Sequence, residues 1–139
     1  MDPRTLQLEL PWPPTGNKAA RSTTRTATGR ARYYTNEHHE QYRQNVGVIA
    51  LELKRPCIRG RVAVDLVAHP PDQRRRDLDN LCKTILDALK HAGFIEDDYL
   101  VDRLCIVRAH AVKGGLIHCT ITGCPDGSYE TRGTDSAVL

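Results

Sequence analysis

The segment from Leu78 to Ala92 constrains this chain more than any other. Leu78, Leu81, Cys82, Ile85, Leu86, Leu89 and Ala92 recur at helical spacing. On a helix of about 3.6 residues per turn they form one apolar stripe. Such a helix has to lay its stripe against another apolar surface. Asp77 or Asp79 can accept from the free N–H groups at its start, and Gly93 can supply a left-handed stop. The rest of the chain offers the surface. Leu6, Leu8 and Leu10 alternate with polar residues as a half-buried strand, ended by Pro11-Trp12-Pro13-Pro14. A helix starts at Thr35 or Asn36, carries Tyr42, Val46, Ile49 and Leu53 at helical intervals, and stops by Pro56. Val62, Val64, Leu66 and Ala68 alternate as a strand, and His69-Pro70-Pro71-Asp72 breaks it. Val101–Ala111 and Leu116–Thr122 read as two further strands, with Lys113-Gly114-Gly115 as a hairpin turn between them. The pattern predicts the α+β class: a single compact domain over residues 1–124, with a mixed β-sheet and two main helices packed on it. Residues 125–139 read as a loose tail.

Composition narrows the function classes. With 139 residues, 40% hydrophobic and 27% charged, the chain is a folded domain and not a disordered one. No apolar run reaches the ~18–20 residues of a membrane span, and the first residues lack the apolar core of a signal peptide. No membrane partner is expected. Five cysteines, none spaced as Cys-x-x-Cys, suit a reducing compartment, so the expected location is the cytoplasm.

The formal charge of +3 conceals a division. From Asp77 to Asp102 there are seven acids (Asp77, Asp79, Asp87, Glu96, Asp97, Asp98, Asp102) and two bases (Lys83, Lys90), a local charge of −5. The remainder of the chain therefore carries +8. Residues 15–34 hold Lys18, Arg21, Arg25, Arg30 and Arg32 without one acid, which predicts a mobile basic loop over 18–34 and a polyanionic partner.

The acidic island adjoins a basic one. Arg74-Arg75-Arg76-Asp77-Leu78-Asp79-Asn80-Leu81-Cys82-Lys83 sets three arginines against two carboxylates at the mouth of the helix. Lys83 lies four residues after Asp79 on the same face, and Asp87 four after Lys83. If the next strand returns beside the one that precedes Asp77, then Asp97 or Asp98 reaches the same end. Clustered carboxylates repel one another unless a cation sits among them. Mg²⁺ accepts hard oxygen ligands and keeps several waters, and it activates water at phosphoryl centres. The arginines would hold a phosphate backbone. The plainer reading makes Asp77 a helix cap, Asp79–Lys83 and Lys83–Asp87 ordinary pairs, and Glu96-Asp97-Asp98 a solvated turn, in a basic DNA-binding protein without catalysis. Zinc is a weaker alternative, since Cys105, His110, His118, Cys119 and Cys124 match no finger or ribbon spacing. No Walker loop or nucleophile elbow points to a small-molecule substrate.

Residues Arg74–Lys83, followed at these intervals by Asp87-Ala88-Leu89, Gly93-Phe94 and Asp97-Asp98, closely resemble the RusA family of Holliday-junction resolvases. Leu10-Pro11-Trp12-Pro13-Pro14 with Asn17, and Lys113-Gly114-Gly115, support the likeness, which covers roughly residues 6–123. The resemblance implies a RusA-like fold and a homodimeric, Mg²⁺-dependent endonuclease that resolves four-way junction DNA by paired symmetric nicks in recombination and repair. By position, Asp77, Asp79 and Asp98 match the family's metal-binding carboxylates, with Asp97 as the neighbouring candidate, and Lys83 its essential lysine. Arg74, Arg75, Arg76 and Asn80 match a DNA-contacting stretch; Thr15, Gly16, Asn17 and Lys18 match a second. A nuclease that prefers forks or flaps is the neighbouring reading, and small resolvases of this kind often belong to a phage or prophage.

Overall fold

The structure is a computed structural model that describes residues 4–14, 23–25, 31–33 and 37–124. The element order is β1 (Thr5–Leu10), β2 (Thr23–Arg25), β3 (Ala31–Tyr33), helix α1 (Glu37–Glu52), β4 (Val62–His69), helix α2 (Asp79–Ala92), a 3-10 turn (Asp98–Leu100), β5 (Val101–Arg108) and β6 (Leu116–Gly123). Four strands form one mixed sheet in the order β1-β6-β4-β5. The β1–β6 and β6–β4 pairs are antiparallel, while β4 and β5 are parallel. Strand β4, helix α2 and strand β5 thus make a βαβ crossover.

Both helices pack on one face of the sheet. The alternation in β4 puts Val62, Val64, Leu66 and Ala68 on that face, each at most 1% exposed. Leu8 and Leu10 of β1 and Ile117, Cys119 and Ile121 of β6 join them. The α2 stripe closes the core with Leu81, Ile85, Ala88 and Leu89, and α1 adds Tyr42, Val46 and Ala50. Leu53, expected to continue the α1 stripe, lies beyond the helix end and is 47% exposed; Ala50 takes the buried place.

The stop of α2 forms as the sequence requires. Gly93 adopts φ 87°, its N–H donates to the Lys90 carbonyl, and the Phe94 N–H donates to the Leu89 carbonyl. Those two bonds satisfy orphan carbonyls, and the φ is one that favours glycine.

Two expectations change. Lys113-Gly114-Gly115 does make a turn, with Gly115 N–H donating to the Val112 carbonyl, but it closes no hairpin. Strand β4 lies between β5 and β6, because its side chains are buried toward both faces and it takes the centre of the sheet. Within the basic stretch 18–34, Thr23–Arg25 pairs antiparallel with Ala31–Tyr33 as a short ribbon. Threonine and tyrosine favour strands, but the ribbon lacks the apolar alternation that would flag it.

Candidate active site

The site grows from the C-terminal end of β4. His69 is buried there, and its Nδ1 lies 2.9 Å from the His110 carbonyl, so Nδ1 carries the proton and donates. Pro70 and Pro71 have no N–H to extend the ladder, and the chain turns out of the sheet. Asp72 then organises the turn. Its Oδ1 accepts from the Arg74 backbone N–H at 2.9 Å and from the Arg76 guanidinium at 2.6 Å. The Arg76 and Arg74 hydrogen bonds pull the Asp72 carboxyl down to about 2. The same bond to Asp72 raises Arg76 above its ordinary value.

Arg76 is therefore a strut as well as a cation. It also faces the Trp12 ring, 5.9 Å from the centroid, and its carbonyl accepts from Arg108 Nη2 at 2.5 Å. Trp12 in turn packs on the turn after β5: a Cβ on Gly115 would stand 2.6 Å from Trp12 Cβ. Four parts of the fold so fix the segment before Asp77. Arg74, whose side chain is 84% exposed, and Arg75 remain turned to solvent. A cavity of about 390 Å³ opens beside them, lined by Trp12, Pro13, Arg75, Arg76, Asp77, Asn80 and Leu81.

The carboxylates at the mouth of α2 are not consumed by structure. Leu78 occupies the cap position with helical backbone angles and no side-chain cap bond, so neither Asp77 nor Asp79 caps the helix. The anticipated ladder of Asp79, Lys83 and Asp87 does not form either. Asp87 turns to α1 and pairs with Arg43 at 2.5 Å. Among the described residues, Asp77, Asp79 and Lys83 engage in no ion pair or side-chain hydrogen bond. All three are exposed. Two exposed carboxylates with free lone pairs, of which Asp77 lines the groove beside Arg75 and Arg76, are a donor set suited to a hard, hydrated divalent ion.

Asp97 and Asp98 sit elsewhere. Lys90, in the last turn of α2, contacts Asp97 at 3.2 Å and Asp98 at 3.9 Å. Hydrogen bonding with Asp98, and then with Lys90, holds Asp97 below the usual carboxylate range. The parallel pairing explains the placement. Val101 at the start of β5 lies beside Val62 at the start of β4, whereas Asp77 follows the far end of β4. The length of α2 separates the two groups, about 20 Å for 14 residues at 1.5 Å each. The expectation that Asp97 or Asp98 comes back to the Asp77 end is therefore corrected: within one chain it occupies the opposite end. Accordingly, no three carboxylate, histidine or cysteine side chains meet as a metal set among the described residues. The same finding leaves the zinc candidates Cys105, His110, His118, Cys119 and Cys124 without a site. Burial pushes the Cys119 thiol up to about 12, as befits a core residue.

Thr15, Gly16, Asn17 and Lys18 lie outside the described residues. Asn80 lines the cavity. Sequence reasoning passed over Asp72, Trp12 and Arg108. The four-residue step from Asp72 to Arg76 was a usable signal for the first. Arg108 carried none, because its contact depends on the parallel pairing of β4 and β5.

A family model described as endodeoxyribonuclease RusA matches residues 11–121. A crossover junction endodeoxyribonuclease of Enterobacteria phage HK97 is 38% identical over 117 residues, covering 84% of this chain and 92% of its own length. The crossover junction endodeoxyribonuclease of Escherichia coli strain K12 is 37% identical over 124 residues, covering 85% of this chain and 94% of its own. That of Shigella sonnei is 36% identical over the same length.

Proposed function

The chain belongs to the RusA family of endodeoxyribonucleases, and on that premise we propose that it is a Mg²⁺-dependent, homodimeric enzyme that resolves four-way DNA junctions by paired symmetric nicks. The observation that carries this reading is the state of Asp77, Asp79 and Lys83. They stand exposed and uncommitted at the mouth of α2, beside an arginine turn that the fold braces from four sides.

Asp77 and Asp79 would hold the ion through hard carboxylate oxygens, with waters and a substrate phosphate completing its shell. When bound, Mg²⁺ polarises the phosphoryl group and lowers the pKa of a coordinated water. Lys83, one turn above Asp79, would offer a positive charge to the phosphoryl oxygens as negative charge develops on them. Arg74 and Arg75 grip backbone phosphates and fix the strand in line. Water adds to phosphorus, the bond to the 3′ oxygen breaks, and the products carry 5′-phosphate and 3′-hydroxyl ends.

Asp98 would join the site through the dimer. An ion at Asp77 and Asp79 is out of reach of Asp98 in the same chain, about one helix length away. A two-fold axis that sets the chains side by side in opposite directions brings Asp98 of the partner subunit, with Asp97 beside it, toward that end. The two sites so formed act on opposite arms of a junction, as paired nicking requires. The protein has no helix long and apolar enough to cross a membrane among the described residues, and Cys57, Cys82, Cys105 and Cys119 are free thiols. We place its work on DNA in the reducing cytoplasm, in recombination and repair, for a phage, prophage or bacterial host.

The test is nicking of a synthetic four-way junction with and without Mg²⁺, beside forks, flaps and linear duplex. Paired nicks in the junction that need Mg²⁺ support the reading. Faster cutting of forks or flaps would reassign the substrate, and tight junction binding with no nicking would leave only a DNA-binding protein.

A further inference from the structure

A second basic surface lies at the opposite end of the sheet from Asp77. Arg4, just before β1, and Arg59 and Arg61, just before β4, line a groove of about 610 Å³ with Ile58 and Leu100. The groove is built, not incidental. The Arg4 guanidinium donates to the Arg59 carbonyl, and Gly123 gives it room, since a Cβ there would stand 2.6 Å from Arg4 Nε. Arg61 donates to Asp102 at 3.0 Å and to the Tyr99 carbonyl at 3.3 Å. Asp102 offsets one of the three guanidinium charges, and Glu96 accepts from the Gly60 N–H at 2.6 Å.

Beside this groove stands the most exposed large apolar side chain among the described residues. Tyr99 is 69% exposed, next in sequence to Asp98. The Arg61 guanidinium lies 6.0 Å from its ring centroid, which fixes one side of the ring and leaves the rest to solvent. Nothing in the core needs an aromatic ring there. A bare aromatic ring bordering a cationic groove is the pairing of groups that single-stranded nucleic acid requires: charge for phosphates, a flat face for a base or sugar.

We propose that the groove of Arg4, Arg59 and Arg61 is a second DNA-backbone site, which takes a phosphodiester on the Asp98 side while Tyr99 stacks on an unpaired nucleotide at the branch point. The inference rests on the junction-nuclease reading above. It gives the Asp98 end a substrate contact of its own, separate from the arginine turn before Asp77. Guanidinium groups suit the task because they bind phosphate in bidentate fashion and stay charged at any working pH. Arg4 and Arg61 are held in place before DNA arrives, and Arg59 projects an exposed side chain between them in sequence.

The experiment measures affinity for a four-way junction in EDTA, where no nicking intrudes, between 50 and 200 mM salt. Arg59→Ala, Tyr99→Ala and the double variant are compared with wild type and with Arg103→Ala, whose cation lies on the helix-free face of the sheet paired with Asp65. The expected result is a loss of about three- to tenfold for Arg59→Ala at the lower salt, with the slope of log K against log salt reduced by about 0.9, the signature of one lost phosphate contact. Tyr99→Ala loses affinity for the junction and for single strands but keeps the wild-type slope. Both exposed positions leave the fold intact, which thermal unfolding verifies. Wild-type slope and affinity within twofold in both variants, or a loss no larger than that of Arg103→Ala, overturns the proposal. If wild type binds the junction but never nicks it with Mg²⁺, the nuclease reading fails while the binding comparison still decides this site.

Discussion

Gly115→Ala probes the joint on which the arginine turn rests. Gly115 has φ +77°, and an added Cβ would stand 2.6 Å from Trp12 Cβ, 3.0 Å from Trp12 Cγ and 3.3 Å from Pro71 Cδ. Gly114 is the matched control: its φ is +84°, yet an added Cβ meets nothing within 4 Å. Both substitutions put an L side chain in the left-handed region, at about 1–2 kcal/mol, less a few tenths recovered from the unfolded chain. Only Gly115→Ala adds a clash with ring and backbone-anchored atoms, worth about 1–3 kcal/mol more. The expected losses are about 1 kcal/mol at Gly114 and about 2–4 kcal/mol at Gly115. Against a typical total of about 5–15 kcal/mol, both proteins still fold. Urea unfolding followed by the fluorescence of Trp12, the one tryptophan in the chain, measures the difference at the contact itself. Gly115→Ala should also displace Trp12 from Arg76 and slow junction nicking more than Gly114→Ala does. Equal midpoints for the two variants would refute the packing of Trp12 on this turn.

Three further outcomes follow from the site. Asp72→Asn removes the carboxylate charge and leaves the Arg74 N–H and Arg76 only a neutral amide oxygen to share, so nicking should fall and Asp72→Glu should restore part of it. Because Asp72 titrates at about 2 when folded and near 3.9 when unfolded, its contribution to stability is complete above about pH 4 and disappears as the pH falls through 2; Asp72→Asn should lack that component in acid unfolding curves. Lys83→Gln should lower nicking about 10²-fold or more with an unchanged melting point, since Lys83 has no ion pair to lose among the described residues; a drop in stability of the kind seen on breaking a packed contact would count against its catalytic role. Arg43→Ala, by contrast, breaks a half-exposed pair with Asp87 and should cost under about 1 kcal/mol with little effect on nicking.

The parts of the fold that were legible from residues are those set by local periodicity. The α2 stripe, its Gly93 stop and the alternation of β1 and β4 each state which face is buried, and burial of Ile85, Val64 and Leu10 follows. The arginine turn and the carboxylates at the mouth of α2 were legible because they are contiguous in sequence. What was not legible depends on pairing between distant segments. Nothing local distinguishes a β5 that hairpins to β6 from one that runs parallel beside β4, since Gly114 and Gly115 suit either turn. For Asp98 the expected return of β5 beside β4 was right, but the strands run parallel, so the start of β5 stands by the end of α2 and not beside Asp77. The Arg108 contact to Arg76 and the convergence of Arg4 with Arg59 and Arg61 were hidden for the same reason. The expected capping by Asp77 or Asp79 fails because the cap position falls on Leu78, whose side chain has no acceptor.

Asp77 and Asp98 lie at the two ends of one helix, and the proposal that they meet between two chains is open to a direct test. Its most direct measurement uses differently tagged Asp79→Asn and Asp98→Asn protomers, co-expressed and purified as a mixed dimer, on a four-way junction with Mg²⁺. Each variant alone should leave the junction uncut. The mixed dimer holds one site with Asp77, Asp79 and the partner subunit's Asp98 all intact, and it should nick a single strand per junction at close to half the wild-type number of cuts. Full inactivity of the mixed dimer would contradict shared sites, and wild-type nicking by either variant alone would contradict the role of these carboxylates altogether.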